Sequence, residues 1–286
     1  MASEEKIQLM PLGEIKPYED APFKVRLDEN MEELVESIKE NGVLVPTIAR
    51  PHTNGGVEML AGHRRLKACE LAGLDKLPVI VKDLDDDAAI ILLVDSNIHR
   101  EDILPSEKAF AYQMKLEAMK RQGKRSDLTS RQFVGKSESA DIIGKDADVS
   151  GRQIQRYIRL TNLIDPILEM VDNKQIAFNA AVELSYLGSK EQAEVYQSIE
   201  AEEVAPSIEQ SRKIRRFSQD GKLNSAVIES IMQEQKPEKI KITFDEDKIK
   251  RYFPKNYSKK QIEDMIIRLL EQHRKQQMKK KNQMER

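Results

Sequence analysis

The stretch MLAGHRRLKACELAG, residues 59–73, runs from a strand end through a glycine into an amphipathic helix. Three side chains able to carry positive charge, His63, Arg64 and Arg65, follow Gly62 directly. A helix N-terminus already bears partial positive charge, so cations belong at the opposite end. Placing them first either tolerates a local penalty or holds an anion. Free N–H groups in a first helical turn form a ready anion site, and glycine lets the backbone approach a phosphate closely. Guanidinium groups at 64 and 65 add charge-assisted donors suited to phosphate oxygens. On these residues alone, a solvated helix start whose arginines pair with acids elsewhere stands as an equal alternative. An exposed arginine there contributes little to a core, so losing Arg65 is expected to cost binding rather than folding.

The flanking residues supply a frame. DENMEELVESIKEN (28–41) sets Met31, Leu34, Val35 and Ile38 on one helical face, and Gly42 stops the helix. VLVPTIARP (43–51) reads as a strand, NGG (54–56) as a turn and VEML (57–60) as the second arm of a hairpin. LPVIVKDL (77–84) is a third strand, and DDDAAIILLVDSN (85–97) opens a helix with carboxylates. This alternation predicts a compact α+β domain over residues 1–104. From Pro105 the pattern turns helical, with Ala109, Tyr112, Leu116 and Met119 at helical spacing up to Gly123. RQGKRSDLTSRQFVGKSES (121–139) has no period and reads as a loop with one short turn. An all-α domain is expected over 105–235, ending in the linker QEQKPEK (233–239). A small, mostly helical C-terminal region, 236–286, would hold a strand KIKITF (239–244) and a helix capped by Ser258, carrying Ile262, Met265, Ile266, Leu269 and Leu270. That apolar stripe suits either dimer contact or packing on its own strand.

Composition narrows the function classes. The chain has 286 residues, 39% hydrophobic and 34% charged, with no tryptophan. A single cysteine, Cys69, excludes a disulfide framework and a multi-cysteine zinc site, and its helical spacing reads as core. No apolar run approaches a membrane span, and MASEEKIQLM lacks a signal-peptide core, so a cytoplasmic protein is expected. The net charge of −2 shows no global basic excess, yet RKIRR (212–216) and HRKQQMKKK (273–281) are locally basic.

SADIIGKDADVSGRQIQRYIRLTNLI (139–164) has helix-turn-helix spacing, with Ile143, Gly144, Ala147, Val149, Ile154 and Ile158 at the buried positions. Asp148 takes the turn and Ser150 caps the second helix, which would expose Arg152, Gln153, Gln155, Arg156 and Arg159. Arginine and glutamine are the side chains that read guanine and adenine edges in the major groove of double-stranded DNA. A helical hairpin with a basic outer face is the plainer reading.

Three segments in order carry a resemblance. SIKENGVLVPTIARP (37–51), GHRRLKA (62–68) and SNIHREDILPSEKA (96–109) are similar to motifs of the ParB family of chromosome and plasmid partition proteins. The resemblance implies a ParB/sulfiredoxin-like N-terminal domain binding a nucleotide, CTP, with Mg²⁺. By position Gly62, Arg64 and Arg65, with His63 among them, would hold the triphosphate. Asn97 would help coordinate the metal, Arg100 would support the site, and Thr47 and Arg50 would lie near the nucleotide. It also implies a nucleoid-associated homodimer, acting in partition of a chromosome, plasmid or mobile element, with a ParA-type ATPase as partner. Several residues depart from the family pattern: His63 replaces a glutamate, His99 and Val45 replace glutamines, and Ser96 replaces the glutamate before Asn97. A serine positions a metal or an attacking water poorly, so weak CTP hydrolysis is expected. Two other readings stand beside this one. One is a helix-turn-helix transcription regulator with a degenerate nucleotide site. The other is a ParB-like kinase, using Glu101 or Asp102 as its carboxylate.

Overall fold

A computed structural model describes residues 6–53, 55–100, 102–126 and 136–234, together with scattered positions between 252 and 272. The chain divides into two compact units, Met1–Glu234 and Gln235–Arg286.

The first unit opens with a five-stranded mixed sheet in the order β1-β5-β3-β4-β2. Its strands are β1 (Ile7–Pro11), β2 (Ile15–Pro17), β3 (Thr47–Pro51), β4 (Val57–Ala61) and β5 (Lys76–Val81). The hairpin pairs β3 and β4 antiparallel, and β5 lies parallel to β3. Helix α1 (Glu29–Asn41) begins where the Asp28 carboxylate accepts the Met31 N–H at 2.9 Å and ends at Gly42. With α2 (His63–Ala72) it covers the sheet, burying Met31, Val35, Ile38, Leu66, Ala68 and Cys69 against Ala49, Met59, Leu77 and Val79. Helix α3 (Asp86–Asn97) is capped by Asp85, which accepts the Ala88 N–H at 2.8 Å.

The sequence reading did not include β1 and β2. They are the two edge strands, and in β1 Ile7 and Leu9 stay 60% and 64% exposed. A strand that buries so little has no inward–outward alternation to detect.

The helical part comprises α4 (Pro105–Ser126), α5 (Lys136–Asp146), α6 (Gly151–Arg159), α7 (Asp165–Asp172), α8 (Phe178–Leu184), α9 (Ser189–Glu202), α10 (Ile208–Gln219) and α11 (Ser225–Met232). The expected loop over 121–139 is shorter, because α4 continues through Gly123 and α5 starts at Lys136. Residues 127–135, the KIKITF strand and the basic tail lie outside the described residues. In the second unit Ser258 does cap a helix: its hydroxyl accepts the Gln261 N–H, and Gln261 accepts the Ser258 N–H.

Glu107 joins the sheet layer to the bundle. This carboxylate, 5% exposed, accepts the N–H groups of Leu104 and Lys24, each at 3.0 Å. It thereby caps α4 and anchors the strap 22–27, whose Phe23 packs with Val94, Ile98, Tyr112, Leu116, Ile143 and Ile154. That core spans both the sheet domain and the helix-turn-helix.

Helices α5 and α6 meet through glycines. A Cβ on Gly144 would lie 2.5 Å from the Val149 carbonyl oxygen and 2.9 Å from the Gly151 nitrogen, both backbone atoms that cannot swing away. Asp148 turns the chain with φ of 54°, a left-handed conformation that aspartate tolerates better than most residues. Gly144→Ala is therefore expected to lower stability by about 1–3 kcal/mol despite alanine's higher helix propensity. Denaturant melts showing an unchanged or raised midpoint would contradict the packing described.

Candidate anion cleft and nucleic-acid interface

The cleft forms where β4 hands the chain to α2. Gly62 adopts φ of 111°, a conformation open to glycine, and the first N–H of α2 to bond back within the helix is that of Leu66, to the Gly62 carbonyl at 3.0 Å. The N–H groups of 63–65 therefore have no intrahelical acceptor. Gly62, His63, Arg64 and Arg65 line a cleft of about 140 Å³ together with Ser96, Asn97, Arg100, Phe23 and Val25. The GHRR segment and the SNIHR segment thus meet at one place, with the strap 22–27 forming a wall. Phe23 and Val25 were missed from sequence; their apolar alternation in PFKV was the available signal.

Each cation in the cleft has a different tether. The Arg65 guanidinium donates to the carbonyls of Val45 and Pro46, the latter at 2.8 Å. Arg64 faces the Asp28 carboxylate at 3.4 Å, so it keeps donors for a ligand. The His63 imidazole is held below its usual range by burial and by the Arg100 charge, against the opposing pull of a hydrogen bond to the Met59 backbone. A bond that favours the charged form is one donated to a carbonyl.

Two expected nucleotide contacts fall elsewhere. Arg50 is committed to Glu58 and Asp86, each at 2.7 Å, and does not line the cleft. Thr47 is fully buried, with its hydroxyl donating to the Pro78 carbonyl at 3.1 Å and its methyl group pressed under Gly62. It positions the glycine that opens α2.

The metal expectation fares differently. The Asn97 amide donates to the Leu93 carbonyl at 2.9 Å and to Ser96 Oγ at 3.1 Å, leaving its one oxygen as acceptor. Asp95 points to Lys115, with 2.5 Å between them, and does not line the cleft. Among the described residues lining the cleft there is no carboxylate. Mg²⁺ is normally held by one or two carboxylates besides substrate phosphates. Among the described residues the cleft thus offers Mg²⁺ the Asn97 amide oxygen with no carboxylate beside it.

On the second interface, Ser150 caps α6 by accepting the Gln153 N–H at 3.2 Å. Arg152 and Gln155 are exposed. Gln153 accepts from Arg156 Nη1 at 3.4 Å, and Arg156 also donates to Asn179 of α8 and lies over the Phe178 ring. Arg159 is not free: it donates to Ser185 and stacks on Tyr186 with 3.9 Å to the ring centroid. Arg156 and Arg159 are thus engaged by α8 and the residues that follow it, whereas Arg152, at the N-terminal end of α6, stays exposed. That end is the one a recognition helix presents to base edges.

Comparison with known proteins gives the following similarities. Residues 1–98 match the ParB N-terminal domain family. The probable chromosome-partitioning protein ParB of Vibrio cholerae is 30% identical over 199 residues, covering 70% of this chain and 62% of that protein. The chromosome-partitioning protein Spo0J of Thermus thermophilus is 43% identical over 108 residues, covering 38% and 40%. Residues 1–98 of the chain are thus a domain of the ParB N-terminal family. The chain spans less than two thirds of the length of these relatives. A C-terminally truncated Caulobacter crescentus ParB complexed to the centromeric parS site is similar at 20% identity and a TM-score of 0.44, covering 73% of this chain and 98% of that one. Within this chain's sheet domain the α2 start is tied back by Arg65 to the carbonyls of Val45 and Pro46.

That tether revises what a substitution does. Arg65→Ala is expected to lower stability by about 2 kcal/mol, because two carbonyls lose a charged donor. Arg64→Ala, which loses one partly exposed pair, is expected to cost under about 1 kcal/mol. Equal melting midpoints for the two variants would refute this division of labour.

Proposed function

We propose that this chain is a CTP-gated DNA-binding protein acting as a homodimer in partition of a chromosome, plasmid or mobile element, within the cytoplasm and on the nucleoid. The observation that carries the reading is the cleft in which Gly62, His63, Arg64, Arg65, Asn97 and Arg100 converge. Unbonded helix N–H groups and guanidiniums there suit a triphosphate. The choice of CTP rests on the motif resemblance. Mg²⁺ would arrive on the nucleotide's phosphates rather than on the protein. The division of labour is nucleotide binding in 1–104, DNA reading in 105–235 through α5 and α6, and a C-terminal region, 236–286, that joins two copies. One helix-turn-helix reads a single half-site, so a dimer is the arrangement that binds specifically. A ParA-type ATPase is the partner the resemblance supplies.

Calorimetry with CTP, ATP, GTP and UTP is the direct test. CTP binding is expected, and its loss is expected in Arg64→Ala and Arg100→Ala without loss of fold. Failure of every triphosphate to bind would favour the second reading, a regulator whose nucleotide site has decayed, which the absence of a carboxylate among the described cleft residues supports. Turnover is expected to be slow for the same reason, and Ser96→Glu is expected to raise it; phosphate release measured in both proteins decides.

For DNA, Arg152→Ala and Gln155→Ala are each expected to cost about 1–3 kcal/mol at the cognate site, with the loss confined to particular base positions. Arg159→Ala should instead lower the melting temperature. Binding titrations on sites recovered by co-precipitation, beside thermal melts, separate the two classes. Wild-type DNA affinity in both Arg152→Ala and Gln155→Ala would remove α6 as the reading helix.

A further inference from the structure

His63 lines the cleft with one ring nitrogen unused: Nε2 is buried and has no hydrogen-bond partner. The other nitrogen bonds the Met59 backbone, and since that bond favours the charged form, Nδ1–H donates to the Met59 carbonyl. In the neutral ring Nε2 is then a bare lone pair, an acceptor. A phosphate oxygen is also an acceptor, so the two repel unless a proton comes between them.

The charged groups around the ring explain why it is neutral when the cleft holds no anion. Arg64 and Arg65 follow it on α2, and Arg100 faces it from beyond α3. From the strap, Arg26 turns to Glu107 at 3.7 Å. The nearby acids are engaged elsewhere: Asp28 with Arg64, Glu58 with Arg50 and Asp95 with Lys115. No described carboxylate lines the cleft to hold an imidazolium. A polyphosphate entering the cleft reverses that field, bringing several negative charges to a ring that burial and the Arg100 charge had kept neutral.

We infer that the cleft binds its polyphosphate together with one proton from solvent, which converts His63 to an imidazolium that donates Nε2–H to a phosphate oxygen. The inference rests on the nucleotide reading above and adds a proton to it. It makes affinity rise as pH falls: a site protonated in the complex and neutral in the free protein strengthens binding up to tenfold per pH unit between its two titration points.

The experiment compares CTP affinity of the wild type and His63→Gln at pH 8, 7 and 6 by calorimetry, each in two buffers of different ionisation enthalpy. The terminal phosphate's own titration, near pH 6, acts equally on both proteins. The wild type is expected to gain roughly tenfold more affinity than the variant across this range and to take up more protons. Superimposable pH profiles overturn the inference while leaving nucleotide binding intact. A wild-type affinity that rises with pH relative to the variant overturns it too, because it marks Nε2 as a metal ligand that must be deprotonated. If wild type binds CTP at no pH, the nucleotide reading falls and this inference with it. Should His63→Gln fail to fold, NMR titration of the wild-type His63 ring with and without CTP supplies the same comparison; an unmoved titration point refutes the proton.

Discussion

The contact between Gly62 and Thr47 governs the sheet domain. A Cβ at 62 would penetrate the Thr47 Cγ2 methyl and lie 3.0 Å from its Cβ, and φ of 111° already excludes most side chains. Thr47 cannot yield, because it is fully buried at the start of β3 and bound to the Pro78 carbonyl of β5. Arg65 closes the arrangement by reaching back to the carbonyls just before β3. Three strands and the first turn of α2 are thereby locked at one point. The N–H groups of that turn acquire a fixed position, which an anion site requires.

The helical part attaches through two buried charges. Glu107 caps α4 while gripping the strap that walls the cleft. Lys115, 4% exposed on its side chain, lies between Asp95 of α3 and Asp146 of α5, at 2.5 and 2.9 Å. Removing one partner from such a pair costs more than the pair contributes, since a buried charge is left unmatched. The same bridge turns Asp95 away from the cleft. A carboxylate one residue from Ser96 thus serves the joint between layers and leaves the anion site without an acid.

Charge in the bundle follows a similar economy of donors. Tyr186 is stacked on both sides, by Arg159 at 3.9 Å and Arg215 at 3.5 Å, and Arg215 also pairs with Glu183. Part of the locally basic RKIRR segment is therefore structural, with Arg212 on Glu209 and Glu183 and Lys213 on Glu234. A run of positive residues in sequence need not be a positive surface in space.

Much was legible from the sequence because it depends on neighbours a few residues apart. The caps at Ser150 and Ser258, the carboxylate start of α3, the hairpin turn, the left-handed Asp148 and the convergence of a glycine with basic residues at a helix start all follow from local geometry. The motif resemblance brought the GHRR and SNIHR segments to one site, where the cleft holds them. What the tertiary structure decided is the partner of each charge. Arg50 pairs with Glu58 and Asp86, Arg65 with backbone carbonyls, Arg159 with α8 and its following turn, and Asp95 with Lys115. The edge strands β1 and β2 belong to the same class, being held by pairing with β5 and β4 rather than by their own burial pattern. Periodicity and capping are set within a turn or two of chain. The choice of ion-pair or strand partner is set by which distant segments the packed core brings within about 3–4 Å, and a linear sequence carries no such distance.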